Sequence, residues 1–270
     1  MQASVAVSID GADWILVNAT SDVRRQLERL PAPSGDSPRA TPVSAVILTD
    51  ANIDHAAGLL EFRQAPSLRI YSSAIVRDVL AGANSVFAMF ARDERSWSVF
   101  DTSDGSTDLP EIIPGLHVRA LSVAGLLPSF AGGSEASGAA TALVFEDWIG
   151  GNRRANVVYA PIFLRAPCAL LDAADAADAV FLDGSFWSDD ELPALGLGAR
   201  TAHDMGHAPI GGPDGWLSAF AGRRVGAHRY CIHINNSNPV LDPASTAARQ
   251  LREAGFAPVD DGTELHFDGS

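Results

Sequence analysis

The chain has 270 residues, 47% of them hydrophobic, with 24 Gly and 16 Pro, a composition that supports one folded domain over residues 1–270 and excludes a disordered protein. All 19 basic residues are Arg and they face 33 acidic ones, a net charge of −14. Without lysine the chain cannot form a Schiff base, anchor pyridoxal or build a P-loop, and its acidity, unbroken by any long Arg run, argues against nucleic-acid binding.

Cys168 and Cys231 lie far apart in apolar contexts without CxxC spacing and read as two buried thiols. The start, MQASVAVSIDGADWILVN, has neither the basic head nor the continuous apolar stretch of a signal peptide. No apolar run reaches the roughly 18 residues of a membrane span. The expectation is a soluble cytoplasmic protein with no membrane partner.

In chain order, Ser4 to Ser8 and Trp14 to Asn18 are short apolar runs joined by a loop with Asp10 and Gly11, which predicts a hairpin. Asp22 to Leu30 follows as a helix. The run VSAVIL, Val43 to Leu48, is β-like and feeds the polar loop TDANIDH and an Ala-rich helical turn. Leu68 to Tyr71 predicts a strand and Ser73 to Leu80 a helix; Leu116 to Leu121 and Ala142 to Phe145 predict further strands. Between these two, the Gly- and Ser-rich stretch Ala124 to Ser137 has no period and reads as a mobile loop. Asn156 to Tyr159, Ala179 to Leu182 and Arg229 to Ile234 complete the strands, with helical patterns at Ala166 to Ala174, Asp214 to Ala221 and Ser245 to Glu253. Strands alternating with helices, and hairpins among them, predict an α/β protein with mixed sheets and outer helices.

In such architectures reactive groups gather in the loops beyond strand ends. After VSAVIL come Asp50, Asp54 and His55; after AVFL come Asp183 and Gly184; the Arg229 to Ile234 run contains His233 and ends in Asn235 and Asn236. The stretch HDMGHAPIGGP puts His203 and His207 on a Gly-rich loop where little regular structure would hide the rings. Carboxylates and imidazoles together are ligands for a borderline divalent metal. Each also has a plain explanation: Asp50 and Asp54 as turn formers or helix caps, His55 as a half-buried helix residue, His233 as a satisfied core histidine. Their shared position at strand ends favours function. His117, on an alternating strand, His228 and His266 carry no role.

The segments VILTDANIDHAAGLL, VFLDGSFWSDDEL, ARTAHDMGHAPIGGP and HINNSNPVLD resemble the pyrroloquinoline quinone (PQQ) biosynthesis protein B family of the metallo-β-lactamase superfamily. The resemblance implies an αββα sandwich of two mixed sheets with the metal at one end. The superfamily motif HxHxDH falls on Asp50, Asn52, Asp54 and His55, so its first two histidines are missing, whereas Asp54, His55, Asp183 and His233 match the second metal set. One metal is therefore expected, in an arrangement like the 2-His-1-carboxylate site of non-haem iron. Relatives carry, ahead of the matched region, a first strand, a Gly-rich loop and a Cys-rich segment for a structural zinc; the sequence begins at what the family would count as its second strand, and no structural zinc is expected.

The function the resemblance implies is hydroxylation of the tyrosine ring of a Glu-Tyr-derived intermediate in PQQ synthesis. Fe(II) would be the metal, replaceable by zinc in preparations, with O2 as co-substrate. Asp54, His55 and His233 would ligate the metal, with Asp183 a further ligand or an orienter of one. His207 would be a spare ligand or the acid/base, and Asp50, with Asn52, would hydrogen-bond substrate or outer waters; Asn235, Asn236 and Asn238 would fix the loop around His233. The expected partner is a small peptide-derived substrate, with a homodimer as a further expectation. Two alternatives stand beside this: a metal-dependent hydrolase of a phosphoester or lactone, and a non-catalytic carrier of PQQ or its precursor.

Overall fold

Two β-sheets lie face to face in a computed structural model that describes residues 3–33, 40–65, 67–82, 86–91, 96–223 and 228–267. The first sheet holds β1 (Val5–Val7), β2 (Trp14–Val17), β3 (Val43–Ile47), β4 (Arg69–Ser73) and β5 (Trp97–Phe100), in that spatial order. The second holds β6 (Ser106–Asp108), β7 (Leu116–Val123), β8 (Ala140–Ile149), β9 (Asn152–Ala160), β10 (Ala179–Asp183), β11 (His228–Ile232) and β12 (Ala257–Pro258), in the order β12-β11-β10-β9-β8-β7-β6. The helices are α1 (Val23–Leu27), α2 (Ile53–Ala56), α3 (Ala74–Arg77), α4 (Cys168–Asp175), α5 (Glu191–Ala194), α6 (Trp216–Ala219) and α7 (Thr246–Glu253). No helix of the described residues is long and apolar enough to cross a membrane.

The two-residue period of the strands sorts side chains into three cores. On β3, Ala45 and Ile47 pack between the sheets with Leu143, Phe145 and Phe181, while Val46 turns outward to Leu59, Val76 and Trp97, joined there by Val43 across the register shift at the start of the strand. On β8, Ala142 and Val144 face the third core, under α4, α6 and α7, with Leu170, Trp216 and Leu251. Burial of each large aliphatic or aromatic side chain contributes about 1.5–3 kcal/mol, so the inter-sheet layer carries much of the stability.

The hairpin forms as predicted: β1 and β2 pair antiparallel with Val5 opposite Val17. Its turn is fixed by Asp10 Oδ1, which accepts the Ala12 and Asp13 N–H groups, and by Gly11 at φ 73°. β2, β3, β4 and β5 then run parallel, as do β9, β10 and β11, so their C-terminal ends share one edge of the sandwich. The segment Ala124 to Ser137, read from sequence as a mobile loop without period, contains a Leu126–Glu135 bridge, a turn of 3-10 helix at Ser129–Ala131, and a Glu135–Arg165 ion pair at 2.5 Å. β5, β6 and β12 had no counterpart in the predicted elements; β6 and β12 are three and two residues long, too short for a period to register.

Two expectations need correction. Cys231 is buried, but Cys168 is exposed at the start of α4, because the apolar stripe of that helix is carried by Leu170, Leu171 and Ala174. The strand predicted to run to Ile234 ends at Ile232, since His233 takes a left-handed backbone, φ 54°, and breaks the ladder.

Candidate metal centre

Four strand ends build the site. β3 delivers Thr49 and Asp50, and the turn into α2 brings Asp54 and His55; β10 delivers Asp183 and Ser185, β11 delivers His233, and β2 delivers Asn18. Local chemistry shapes each turn. Asp50 Oδ1 accepts the Asn52 N–H at 2.9 Å and so opens the turn ahead of α2, while Asn238 donates to Gly184 O at 2.8 Å and ties the segment after His233 to the one after Asp183.

Three ligand atoms converge. His55 Nε2 and His233 Nε2 are 3.3 Å apart, and Asp54 Oδ2 lies 3.3 Å from His233 Nε2 and 3.8 Å from His55 Nε2. Neighbouring ligands at about 2.1 Å from one ion are expected roughly 3.0–3.4 Å apart, so the two 3.3 Å separations suit a single divalent cation, around which the exposed Asp54 carboxylate closes the remaining 3.8 Å gap to His55. Hydrogen counting supports the same conclusion. Asp50 Oδ2, at 2.6 Å, takes the His55 Nδ1–H. Ser185 gives its one hydroxyl hydrogen to Asp183 Oδ1 at 2.6 Å, leaving Oγ to accept from His233 Nδ1 at 2.9 Å. Both Nε2 atoms are then lone pairs aimed at one point, beside a carboxylate.

Electrostatics favour positive charge there. Burial works against ionising Asp54, but the His233 and His55 rings, when they carry the proton that a metal would replace, hold its carboxyl well below the usual range. Burial also opposes charge on His55, yet the Asp50 carboxylate and then Asp54 raise its pKa. Asp50, likewise desolvated, is kept low by His55, the Asn52 N–H and Thr49. His233 moves down, chiefly through burial, with His55 and His207 adding to the effect.

A second cluster adjoins the first and shares a residue with it. Ligand atoms of Asp183, His207 and His233 lie within 4.8 Å of one another. Asp183 Oδ2 accepts from His207 Nδ1 at 2.7 Å, and its Oδ1 accepts the N–H and hydroxyl of Ser185. The Ser185 hydroxyl is also 3.0 Å from His207 Nδ1. His207 is buried, 7% exposed, and its ring packs edge-on against Phe186, so it is covered although it sits on a Gly-rich loop. Its Nδ1 is occupied, which leaves Nε2 as the ring nitrogen with chemistry to offer.

The structure therefore brings Asp54, His55 and His233 together, with Asp50 behind His55 and Asp183 and His207 alongside His233. Asn52 stands partly exposed at the N-cap of α2. Asn235 Oδ1 accepts the Asn236 N–H, and Asn236 is exposed. His117 and His266 are exposed and His228 begins β11, all away from the site. Sequence reading missed Ser185, Thr49 and Asn18. The signal available for them was the one that found the carboxylates: a polar residue where an apolar strand stops.

Comparison with known proteins places these features in a family. Residues 13–234 match the beta-lactamase superfamily domain. The chain is 37% identical to the coenzyme PQQ synthesis protein B of Xanthomonas euvesicatoria pv. vesicatoria and 34% identical to that of Ruegeria pomeroyi, each alignment covering 98% of this chain and 87% of the relative. A zinc-bound PqqB from Methylobacterium extorquens superposes with a TM-score of 0.85 at 31% identity, over 98% of this chain and 87% of the other.

Proposed function

This chain belongs to the coenzyme PQQ synthesis protein B family within the β-lactamase superfamily, and from that premise we propose that it acts in PQQ synthesis as a mononuclear non-haem iron hydroxylase of the tyrosine ring of a Glu-Tyr-derived intermediate. The observation that carries the reading is the orientation of Asp50. It occupies the first histidine position of HxHxDH, yet its buried carboxylate turns to His55 Nδ1, which leaves two imidazoles and Asp54 as the convergent set. Such a set suits one Fe(II) with open positions better than a pair of metals held for hydrolysis.

In this reading Asp54, His55 and His233 hold the metal. Asp50 and Ser185 fix the rings of His55 and His233 so that each Nε2 is the ligand atom. Asp183 orients His207, and His207 Nε2 moves the phenolic proton of the substrate. Asn52, at the exposed rim, contacts substrate. Bound Fe(II) supplies redox chemistry with O2 as co-substrate, and the reaction draws two electrons from an external reductant.

One observation favours a second reading, a metal-dependent hydrolase: the Asp183, His207 and His233 group could hold another ion. Anaerobic loading with Fe(II), metal analysis, and oxygen uptake with a Glu-Tyr-derived substrate separate the two. The hydroxylase gives one iron per chain, uptake only with substrate, and a product one oxygen atom heavier. Two metals per chain and oxygen-independent turnover of a phosphodiester would establish the hydrolase; tight substrate binding without turnover would establish the carrier.

A further inference from the structure

Among the described residues, the non-glycine residues with positive φ are Asn18, at 55°, and His233, at 54°. Both end strands at the same edge of the sandwich. A left-handed backbone is costly for residues other than glycine, although Asn bears it more easily than most. His233 is one of the convergent ligand set; Asn18 is fully buried and touches no ligand.

The Asn18 amide grips Thr49 twice. Its Oδ1 accepts the Thr49 N–H at 3.0 Å, which fixes the orientation of the amide, and its Nδ2 donates to Thr49 Oγ1 at 2.9 Å. Thr49 Oγ1, thus supplied with a donor, turns its own hydrogen to Asp50 Oδ2 at 2.8 Å, and the same Oδ2 accepts from His55 Nδ1 at 2.6 Å. Donors from Thr49 and from His55 thus converge on Asp50 Oδ2 from its two sides. The buried Tyr159 phenol donates to Ala3 O at 2.8 Å.

We infer that Asn18 is a positioning residue for the metal centre, acting through Thr49 and Asp50 to hold His55 with Nε2 as its ligand atom. This rests on the reading of Asp54, His55 and His233 as ligands and adds a residue two hydrogen bonds behind Asp50's contact with the ring. In a buried network the alternative to this chain is an unsatisfied amide and an Asp50 carboxylate held by the Asn52 N–H and His55 alone, so the order at Asn18 is transmitted to His55.

The turn at Asn18 also has a backbone duty, because Ala19 N donates to His55 O at 2.7 Å. The test must separate the two. Asn18→Gly keeps the left-handed backbone and removes the amide; Thr49→Val keeps the shape of Thr49 and removes its hydroxyl; Thr49→Ser keeps the hydroxyl. Affinity for Co(II) and Fe(II) is measured by chelator competition, and the Co(II) absorption spectrum reports ligand geometry, each beside the melting temperature of the metal-free protein. Loss of an outer partner of a metal ligand typically costs 10–100-fold in affinity, so Asn18→Gly and Thr49→Val should bind about tenfold more weakly with altered Co(II) bands. Thr49→Ser should restore the wild-type spectrum.

Wild-type affinity and spectrum in Asn18→Gly would show a backbone role alone and overturn the inference. Should that variant not fold, Thr49→Val decides, and wild-type binding in it overturns the inference equally. Failure of the wild-type protein to bind either metal would instead overturn the proposed centre itself.

Discussion

His55 Nε2 and His233 Nε2 face each other across 3.3 Å, 178 residues apart in sequence, with their Nδ1 atoms anchored to different elements, Asp50 and Ser185. Two lone pairs held this close by independent anchors repel unless a cation lies between them. Removing either imidazole should therefore remove the binding point. His233→Ala is expected to lower metal affinity by more than the 10–100-fold typical of an outer partner, whereas His117→Ala, on an exposed strand position, should retain wild-type metal content after dialysis.

Gly184 sits between Asp183 and Ser185, where a Cβ would meet Ile232 O at 2.7 Å and Ile234 Cγ1 at 2.8 Å. The added methyl has no flexible neighbour to displace and must push β10 away from the end of β11. Gly184→Ala should destabilise the fold by about 1–3 kcal/mol, the usual cost of overpacking, and weaken metal binding as His233 shifts. Denaturant titration and metal analysis check both; an unchanged midpoint would show that the two strands can part without cost.

Asp189 Oδ1 accepts the His203 N–H at 2.9 Å and contacts His203 Nδ1 at 2.8 Å, holding the loop that delivers His207. Burial opposes its ionisation, but the His203 hydrogen bonds and charge place its carboxyl below the ordinary value. A lowered folded pKa means the unfolded chain takes up the proton first. The stabilisation is thus fully present above the unfolded value of about 3.9 and is lost as pH falls through the lower folded value. The stability difference between wild type and Asp189→Asn should shrink as pH falls below about pH 4.

The two thiols should differ sharply in reactivity. Cys168 is exposed, while Cys231 is buried and its thiol is pushed up by desolvation and by the nearby Asp183 charge. An alkylating reagent at neutral pH should label Cys168 in the native protein and Cys231 only after unfolding. Mass spectrometry of peptides from native and denatured samples distinguishes the sites, and native labelling at Cys231 would contradict its burial in the core it shares with Leu182 and Trp216.

Much of this site is written locally. The apolar run Val43 to Leu48 predicts a buried strand, and Asp50, Asp54 and His55 follow because a parallel strand must hand over to a polar loop at its end. The same holds for Asp183 at the end of β10 and His233 after β11, and the hairpin at Asp10 and Gly11 comes from turn chemistry within four residues. Motif resemblance then supplied what local patterning lacks, namely which strand ends meet. Tertiary structure decided the rest. Whether Asp50 faces a metal or a ring, whether His207 is open or covered, and whether Ser185, Thr49 and Asn18 matter at all depend on contacts between strands far apart in sequence, which no local period encodes. A hydrogen bond is directional and short, so only the assembled sandwich determines which donor meets which acceptor.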